Sequence, residues 1–148
     1  MSNWAAPPSR PPVAGDLPCD VRLDLPADAE QVVIARHVVA ALAESLRFSQ
    51  TLIEDVKLAV TEACTNVVRH AYAPCGDGRL RIAAAAKEDA LEVRVIDDGS
   101  GISLGPRLDG PGGLGLPLMA ALTKDLAIER SGAGGSGTVI RMSFAATE

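Results

Sequence analysis

The chain has 148 residues, which is enough for one domain of ordinary size with a single core. Apolar residues make up 47% of it but aromatic residues only 3%, so the core must consist of Val, Leu, Ile and many Ala side chains. A formal charge of −5 argues against a nucleic-acid binder, because such proteins present a basic surface to the phosphate backbone.

The cysteines and the apolar runs exclude further classes of protein. Cys19, Cys64 and Cys75 are odd in number and contain no CxxC pair. This argues against a disulfide framework or a structural zinc site and fits a reducing compartment. No apolar run is long enough to span a membrane, and residues 1–18 lack the basic start and apolar stretch of a secretory signal. We therefore expect a cytoplasmic protein.

The first predicted elements follow a segment that has little capacity to pack. Residues 1–17 are rich in proline and are predicted to be a disordered tail, whereas residues 18–148 are predicted to form a single domain. Apolar and charged side chains alternate over residues 21–25, which predicts a half-buried strand ending at Pro26. Apolar residues at helical spacing then predict a helix over residues 28–46.

A second helix and a run of strands complete the pattern. Ser49 is a suitable N-cap for a helix that continues to about Tyr72, before Pro74 ends it. Strands are predicted over 79–86 and 91–96, as an antiparallel pair across the polar turn of residues 87–89. The remaining predicted elements are a helix over 113–122 and strands over 126–129 and 138–144. The order β-α-α-β-β-α-β-β predicts an α+β fold: a two-layer sandwich with helices on one face of a mixed, mostly antiparallel sheet.

The second helix carries the first candidate site residues. Glu62 and Asn66 lie one turn apart at the border of its apolar stripe. A carboxylate and an amide in that position are well placed to face a cleft between helix and sheet. Taken alone, however, the pattern is more typical of a solvated helix face.

The second candidate segment follows a predicted strand. The strand runs into Asp97, after which Gly99 and Gly101 allow the backbone to bend close to a ligand. A carboxylate at a strand end can accept the exocyclic amine hydrogen of adenine. Asp98 is expected to face solvent, since adjacent strand residues point to opposite faces. The alternative is an ordinary Asp-Gly turn.

Two glycine-containing segments close the set of candidates. Gly113, Leu114 and Gly115 lead into a helix N-terminus, where free amides and the positive end of the helix dipole can hold phosphate. Thr138 stands at the start of the last predicted strand, directly after Gly137. For the first segment a flexible hairpin is an equally good interpretation, and for the second a plain β-hairpin turn is the better one.

The four segments together are more specific than any one of them. They read Glu-Ala-x-x-Asn-x-x-x-His-Ala-Tyr, Asp-x-Gly-x-Gly-Ile, Gly-x-Gly-Leu and Gly-Thr-Val-Ile, in that order. This series resembles the N, G1, G2 and terminal boxes of the gyrase and histidine-kinase-like ATPase superfamily, which has the Bergerat ATP-binding fold. Within it, the sequence is most similar to the anti-sigma-factor serine/threonine kinases of bacterial partner-switching systems. The resemblance covers roughly residues 20–145.

The resemblance implies a role for each candidate on the helix and at the strand end. Glu62 would be the general base that orients or deprotonates the acceptor hydroxyl. Asn66 would give its side-chain oxygen to Mg²⁺, a hard cation that requires oxygen ligands. Asp97 would hold the adenine, with Gly99 and Gly101 allowing close backbone approach.

The same resemblance implies that the phosphates of ATP are bound by the segment before the third helix. Gly113, Leu114 and Gly115 would contact them, and Thr138 would support the adenine side of the pocket. The segment over residues 103–111 departs from the pattern, because it is short for a nucleotide lid and carries only one basic residue, Arg107. Nucleotide binding is therefore better supported than fast phosphoryl transfer.

The implied function is an ATP- and Mg²⁺-dependent kinase that phosphorylates an anti-anti-sigma protein and alternatively binds a sigma factor. We further expect a homodimer, with no direct contact to nucleic acid or membrane. One alternative is a non-catalytic ATP/ADP-binding module whose nucleotide state selects its protein partner. Another is a detached histidine-kinase catalytic domain, which fits less well because neither His37 nor His70 is followed by Glu.

Overall fold

The computed structural model describes residues 20–71, 78–87, 90–99, 115–130 and 137–145. In chain order these residues contain strand β1 (Val21–Pro26), helix α1 (Ala29–Ser45), helix α2 (Gln50–Asn66), strand β2 (Arg79–Lys87), strand β3 (Ala90–Asp97), helix α3 (Gly115–Leu122), strand β4 (Asp125–Arg130) and strand β5 (Thr138–Ala145). The predicted α+β class and the predicted order of elements are both confirmed. The proline-rich tail and the whole segment over residues 103–111 lie outside the described residues.

Both long helices begin at a side-chain cap. Asp28 Oδ1 accepts hydrogen bonds from the backbone N–H groups of Glu30 and Gln31, at 3.1 and 3.2 Å. Ser49 Oγ accepts one from the N–H of Leu52 at 3.1 Å, as its position in the sequence predicted. These bonds satisfy amides that have no partner within the helix, so the caps determine where α1 and α2 start.

Helix α1 ends in a Schellman motif with an unusual occupant. Phe48 N–H donates to the Ala43 carbonyl at 3.3 Å and Arg47 N–H donates to the Glu44 carbonyl at 2.9 Å. Arg47 adopts the left-handed conformation with φ of 64°, where glycine is the usual residue. The buried Phe48 side chain anchors the motif, so the short connection brings α1 and α2 side by side.

The end of α2 departs from the sequence prediction. A single α-helix was predicted to continue to about Tyr72, but after Asn66 the backbone forms a π-helical turn over Val67–Ala71. A π-turn holds more residues than an α-turn, so it rotates the following side chains relative to an unbroken helix. Apolar periodicity does not reveal such a local change, because the residues on either side keep helical spacing.

The five strands form one sheet in the order β1-β2-β3-β5-β4. All four pairings between the described strands are antiparallel. The β2–β3 pair is the one that the sequence predicted across the turn after Lys87. In the register of β3 and β5, Asp97 lies opposite Thr138, which places these two candidate residues next to each other.

Alternate residues of the sheet face the helices and form the core with them. On the sheet, the core-forming residues are Leu80, Ile82, Ala84, Leu91, Val93, Val95, Ile140, Met142 and Phe144. On α2, Val56 and Val60 are fully buried beneath α1 and against the sheet. Helix α3 packs on α2 near the end that carries the candidate site. This arrangement is the predicted two-layer sandwich.

Two further properties bear on the protein class. Among the helices that the structure describes, none is long and apolar enough to cross a membrane. Cys64 is a free cysteine buried in the core, and burial raises the pKa of its thiol to about 12. The thiol therefore stays protonated, so Cys64 serves as a small apolar core residue.

Candidate functional site

The two candidate residues of α2 differ in exposure. Asn66 is only 6% exposed, so the interpretation of a solvated helix face is wrong for this residue. Glu62, one turn earlier, is half-buried. A buried amide next to a half-buried carboxylate is a costly arrangement unless other polar groups approach it. The two side chains therefore mark a polar position at the edge of the core.

The start of α3 approaches these two side chains closely. A Cβ atom added at Gly115 would lie 3.1 Å from Asn66 Nδ2 and 3.5 Å from Glu62 Oε1. Only a residue without a side chain allows this approach without displacing Asn66. The first turn of α3 carries the positive end of the helix dipole, a position that favours anions. An amide, a carboxylate and the start of a helix therefore meet at Gly115.

The end of β3 forms the second part of the candidate site. Asp97 is 1% exposed and lies on the face of the sheet that carries the core residue Val95. Its Oδ1 accepts a hydrogen bond from Gly99 N–H at 3.0 Å, and Gly99 in turn accepts one from Gly137 N–H at 2.7 Å. Thr138, opposite Asp97, is also buried. Asp98 is exposed, as the alternation of the strand predicted.

The electrostatic environment of Asp97 is unusual for a carboxylate. Burial raises the pKa of Asp97 from the ordinary 3.8 to about 6, and the hydrogen bond from Gly99 opposes that rise. The neighbouring Asp98 adds to the rise and Arg81 lowers it. A buried carboxyl group whose pKa is displaced by desolvation is typical of binding and catalytic sites. At neutral pH it is an anionic acceptor available to a donor group on a ligand.

The structure thus brings the described candidates into two groups. Glu62, Asn66 and Gly115 meet between α2 and α3. Asp97, Gly99 and Thr138 lie together at the end of the β3–β5 pair, in the sheet on which α2 packs. Three candidates, Gly101, Gly113 and Leu114, lie outside the described residues.

One residue near the site was missed by the sequence reasoning. Arg81 forms an ion pair with Asp98 at 2.8 Å, across from β2 to the end of β3. The predicted β2–β3 hairpin contained the information needed to place Arg81 near the end of β3. Pairing Lys87 with Ala90 across the turn places Arg81 opposite Ile96, close to the strand end. Counting the register back from the turn would have placed an arginine beside the Asp97–Asp98 pair.

The donor set between α2 and α3 fits a magnesium ion. Asn66 and Glu62 offer an amide oxygen and a carboxylate, both of the hard type that Mg²⁺ prefers. Among the described residues no group of three or more His, Cys, Asp or Glu side chains is placed to hold a metal. Mg²⁺ commonly takes one or two ligands from the protein and the rest from phosphate and water, so the small protein contribution is compatible with it.

Comparison with known proteins shows the family of this chain. The family model of the histidine kinase-like ATPase domain matches residues 25–144. The serine-protein kinase RsbW of Listeria monocytogenes is 38% identical over 120 residues, covering 72% of this chain and 76% of the relative. The serine-protein kinase RsbW of Bacillus subtilis is 34% identical over 136 residues, covering 82% of each chain.

Solved structures support the fold. The RsbU and RsbW domains of a Mycobacterium tuberculosis protein match with a TM-score of 0.64 at 22% identity, over 84% of this chain and 31% of that one. The histidine kinase domain of a blue-light-activated kinase from Erythrobacter litoralis matches with a TM-score of 0.51 at 26% identity, over 64% of this chain and 45% of that one. With its sequence matches, this chain belongs to the histidine-kinase-like ATPase family and, within it, to the RsbW serine-protein kinases.

Proposed function

We propose that the protein is an ATP-binding anti-sigma factor and a serine/threonine kinase. It transfers the γ-phosphoryl group of ATP to a serine or threonine hydroxyl of an anti-anti-sigma protein, and it alternatively binds a sigma factor in the cytoplasm. The observation that carries this proposal is the meeting of Glu62, Asn66 and the N-terminus of α3 at Gly115. This is the combination of base, metal ligand and phosphate site that phosphoryl transfer requires.

The nucleotide would occupy the cleft with its two ends in different parts of the site. Asp97 accepts the exocyclic amine hydrogen of adenine, and Thr138 on the neighbouring strand forms the wall beside it. The phosphates would lie at the N-terminus of α3, where the helix dipole and the first-turn amides favour an anion. Asn66 would hold Mg²⁺, which supplies charge neutralisation on the phosphates when bound.

Glu62 is the residue placed to handle the proton of the acceptor. Its carboxylate accepts the hydroxyl proton as the hydroxyl oxygen forms a bond to the γ-phosphorus. The bond between that phosphorus and the oxygen bridging to the β-phosphate breaks, and ADP leaves. Since little covalent chemistry falls to the protein, positioning and charge stabilisation account for most of the rate.

Partner binding needs surface beyond the nucleotide cleft. Helices α1 and α2 pack side by side and expose Val33, Ile34 and Leu58, each more than 40% accessible. Exposed apolar side chains of this kind support contact with a protein partner. The proposal includes a homodimer, which sedimentation equilibrium of the purified protein tests directly.

The proposed kinase activity is tested by replacing Glu62. Glu62→Gln keeps the size and hydrogen-bonding reach of the side chain but cannot accept the proton. ATP affinity should remain within a few-fold of wild type, whereas single-turnover transfer from labelled ATP to the anti-anti-sigma protein should fall by roughly 10²–10⁴-fold. Glu54→Gln is the matched control: it makes the same change two turns earlier on α2, at an exposed residue.

The same measurement distinguishes the kinase from a nucleotide-gated binding module. The short segment over residues 103–111, with one basic residue, favours the binding module. That alternative predicts no transfer by wild-type protein and no difference between it and the two variants. Equal, measurable transfer rates for wild type and Glu62→Gln would contradict the assignment of Glu62 as the base.

A further inference from the structure

An ion pair lies on the outer face of the sheet, directly behind the adenine end of the site. Arg81 Nη2 donates to Asp98 Oδ1 at 2.8 Å. Arg81 belongs to β2 and lies opposite Ile96 in the register, so its side chain reaches along the sheet to the residue that follows β3. Asp98 is the immediate neighbour of Asp97, whose side chain points to the opposite, core-facing side.

The turn that carries Asp97 is therefore held from two sides. On the β2 side, Arg81 binds the Asp98 carboxylate. On the β5 side, Gly137 N–H donates to the Gly99 carbonyl at 2.7 Å, while Gly99 N–H donates to Asp97 Oδ1 at 3.0 Å. A side chain held by packing and hydrogen bonds keeps the geometry that ligand binding needs. Asp97 lies between the Arg81–Asp98 ion pair and the Gly137–Gly99 hydrogen bond.

We propose that Arg81 is a positioning residue of the nucleotide site: by holding Asp98 on the outer face, it keeps the Asp97 carboxylate anionic and directed at the adenine. This inference deepens the proposed function and rests on the assignment of Asp97 as the adenine acceptor. Arg81 itself touches no nucleotide, since it lies on the face of the sheet away from the cleft.

Two charged neighbours act on the Asp97 carboxylate. Asp98 raises the pKa of Asp97 and Arg81 lowers it, so the two charges of the ion pair oppose each other. Removing only Arg81 takes away the cation that lowers the pKa of Asp97 and leaves the effect of Asp98 that raises it, which favours the protonated form of Asp97. Among the described residues, Asp98 and Arg81 are the charged groups that shift the pKa of Asp97, and Thr138, opposite Asp97 on β5, is neutral.

The pair has little to contribute to overall stability. The Asp98 side chain is 62% exposed and that of Arg81 is 27% exposed, and ion pairs at such positions contribute little to folding. We therefore expect Arg81→Gln to change the melting temperature by less than about 4 °C. A loss of nucleotide affinity at nearly unchanged stability separates positioning from general structural support.

The test measures ADP affinity by calorimetry between about pH 5.5 and 8, around the range in which Asp97 titrates. Arg81→Gln should lower the affinity for ADP about threefold to tenfold near pH 6.5. The loss of ADP affinity that accompanies acidification should then occur at a higher pH than in wild type. Asp98→Asn should move this loss of affinity to a lower pH, and the double variant should lose ADP affinity at nearly the same pH as wild type. Arg81→Lys, which keeps the charge, should bind ADP like wild type.

The matched control is Lys87→Gln, since Lys87 lies on the same strand and the same face in an exposed ion pair with Glu92 at 2.9 Å. The inference is overturned if Arg81→Gln follows the pH profile of this control. If Arg81→Gln does not fold, the absence of a downward shift for Asp98→Asn overturns it instead. An unchanged ADP affinity for Asp97→Asn would show that the adenine assignment itself, and not the role of Arg81, is the error.

Discussion

The buried carboxylate at the end of β3 gives the sharpest prediction, because its stability and binding effects have opposite signs. Asp97→Asn should make the ligand-free protein more stable near pH 7. The same change should weaken the binding of adenine nucleotides by a free energy on the order of 1.5–3 kcal/mol. Asparagine has the same shape and can still accept from Gly99 N–H, but it carries no charge into the buried position. An amide also offers a donor where the adenine amine needs an acceptor.

The size of the stabilisation follows from the pKa of Asp97. The folded protein holds this pKa at about 6 against the ordinary 3.8, so the ionised carboxylate destabilises the fold at neutral pH. This loss is recovered as the pH falls through about 6 towards the ordinary value, where both states are protonated. At about 1.4 kcal/mol per pH unit, the advantage of Asp97→Asn is about 3 kcal/mol near pH 7, roughly half of that near pH 5 and well below about 1 kcal/mol near pH 4.

Chemical denaturation of the ligand-free protein at these pH values is the assay. At neutral pH the gain corresponds to a rise of roughly 6–12 °C in melting temperature. Asp125→Asn, at an exposed position at the start of β4, removes the same charge and should leave stability nearly unchanged at each pH. If Asp97→Asn were no more stable than wild type at pH 7, or if its advantage did not shrink on acidification, the burial argument would be refuted.

Three further substitutions test other parts of the molecule. Asn66→Ala should abolish Mg²⁺-dependent ATP binding in calorimetry and, because Asn66 is buried, lower the free energy of unfolding by about 1 kcal/mol. Gly115→Ala puts a methyl group 3.1 Å from Asn66 Nδ2, so ATP affinity should fall about tenfold with an unchanged far-UV spectrum. Arg47→Gly relieves a left-handed φ of 64° and should stabilise the protein by about 0.5–1 kcal/mol in urea denaturation, with no effect on ATP affinity.

The sequence predicted the elements well because their signals are local. The predicted helix cap at Ser49 depends on a side chain three residues from the amide that it binds. The orientation of Asp97 and Asp98 to opposite faces follows from strand alternation alone. The four motif segments identified the family because their order along the chain was sufficient, without knowledge of their arrangement in space.

The features that could not be predicted depend on contacts between distant residues or on small backbone changes. The burial of Asn66 requires α3 to approach α2 through Gly115, which the position of Asn66 on its own helix does not reveal. The π-helical turn after Asn66 leaves the apolar spacing intact. In the sheet, β5 lies between β3 and β4. The alternation of apolar and polar residues within a single strand does not determine which strands are neighbours, so this order could not be predicted.

That strand order has a consequence for the protein during its synthesis. Thr138 leaves the ribosome about 40 residues after Asp97, and β5 must then insert beside β3. At translation rates of about 5–20 residues per second, β3 waits roughly 2–8 s for its partner. For that time the nascent chain presents an unpaired strand edge, which other chains can pair with. A ribosome that stalls after β4 would thus hold a chain in which Asp97 lacks its cross-strand neighbour Thr138 and β3 keeps an unpaired edge.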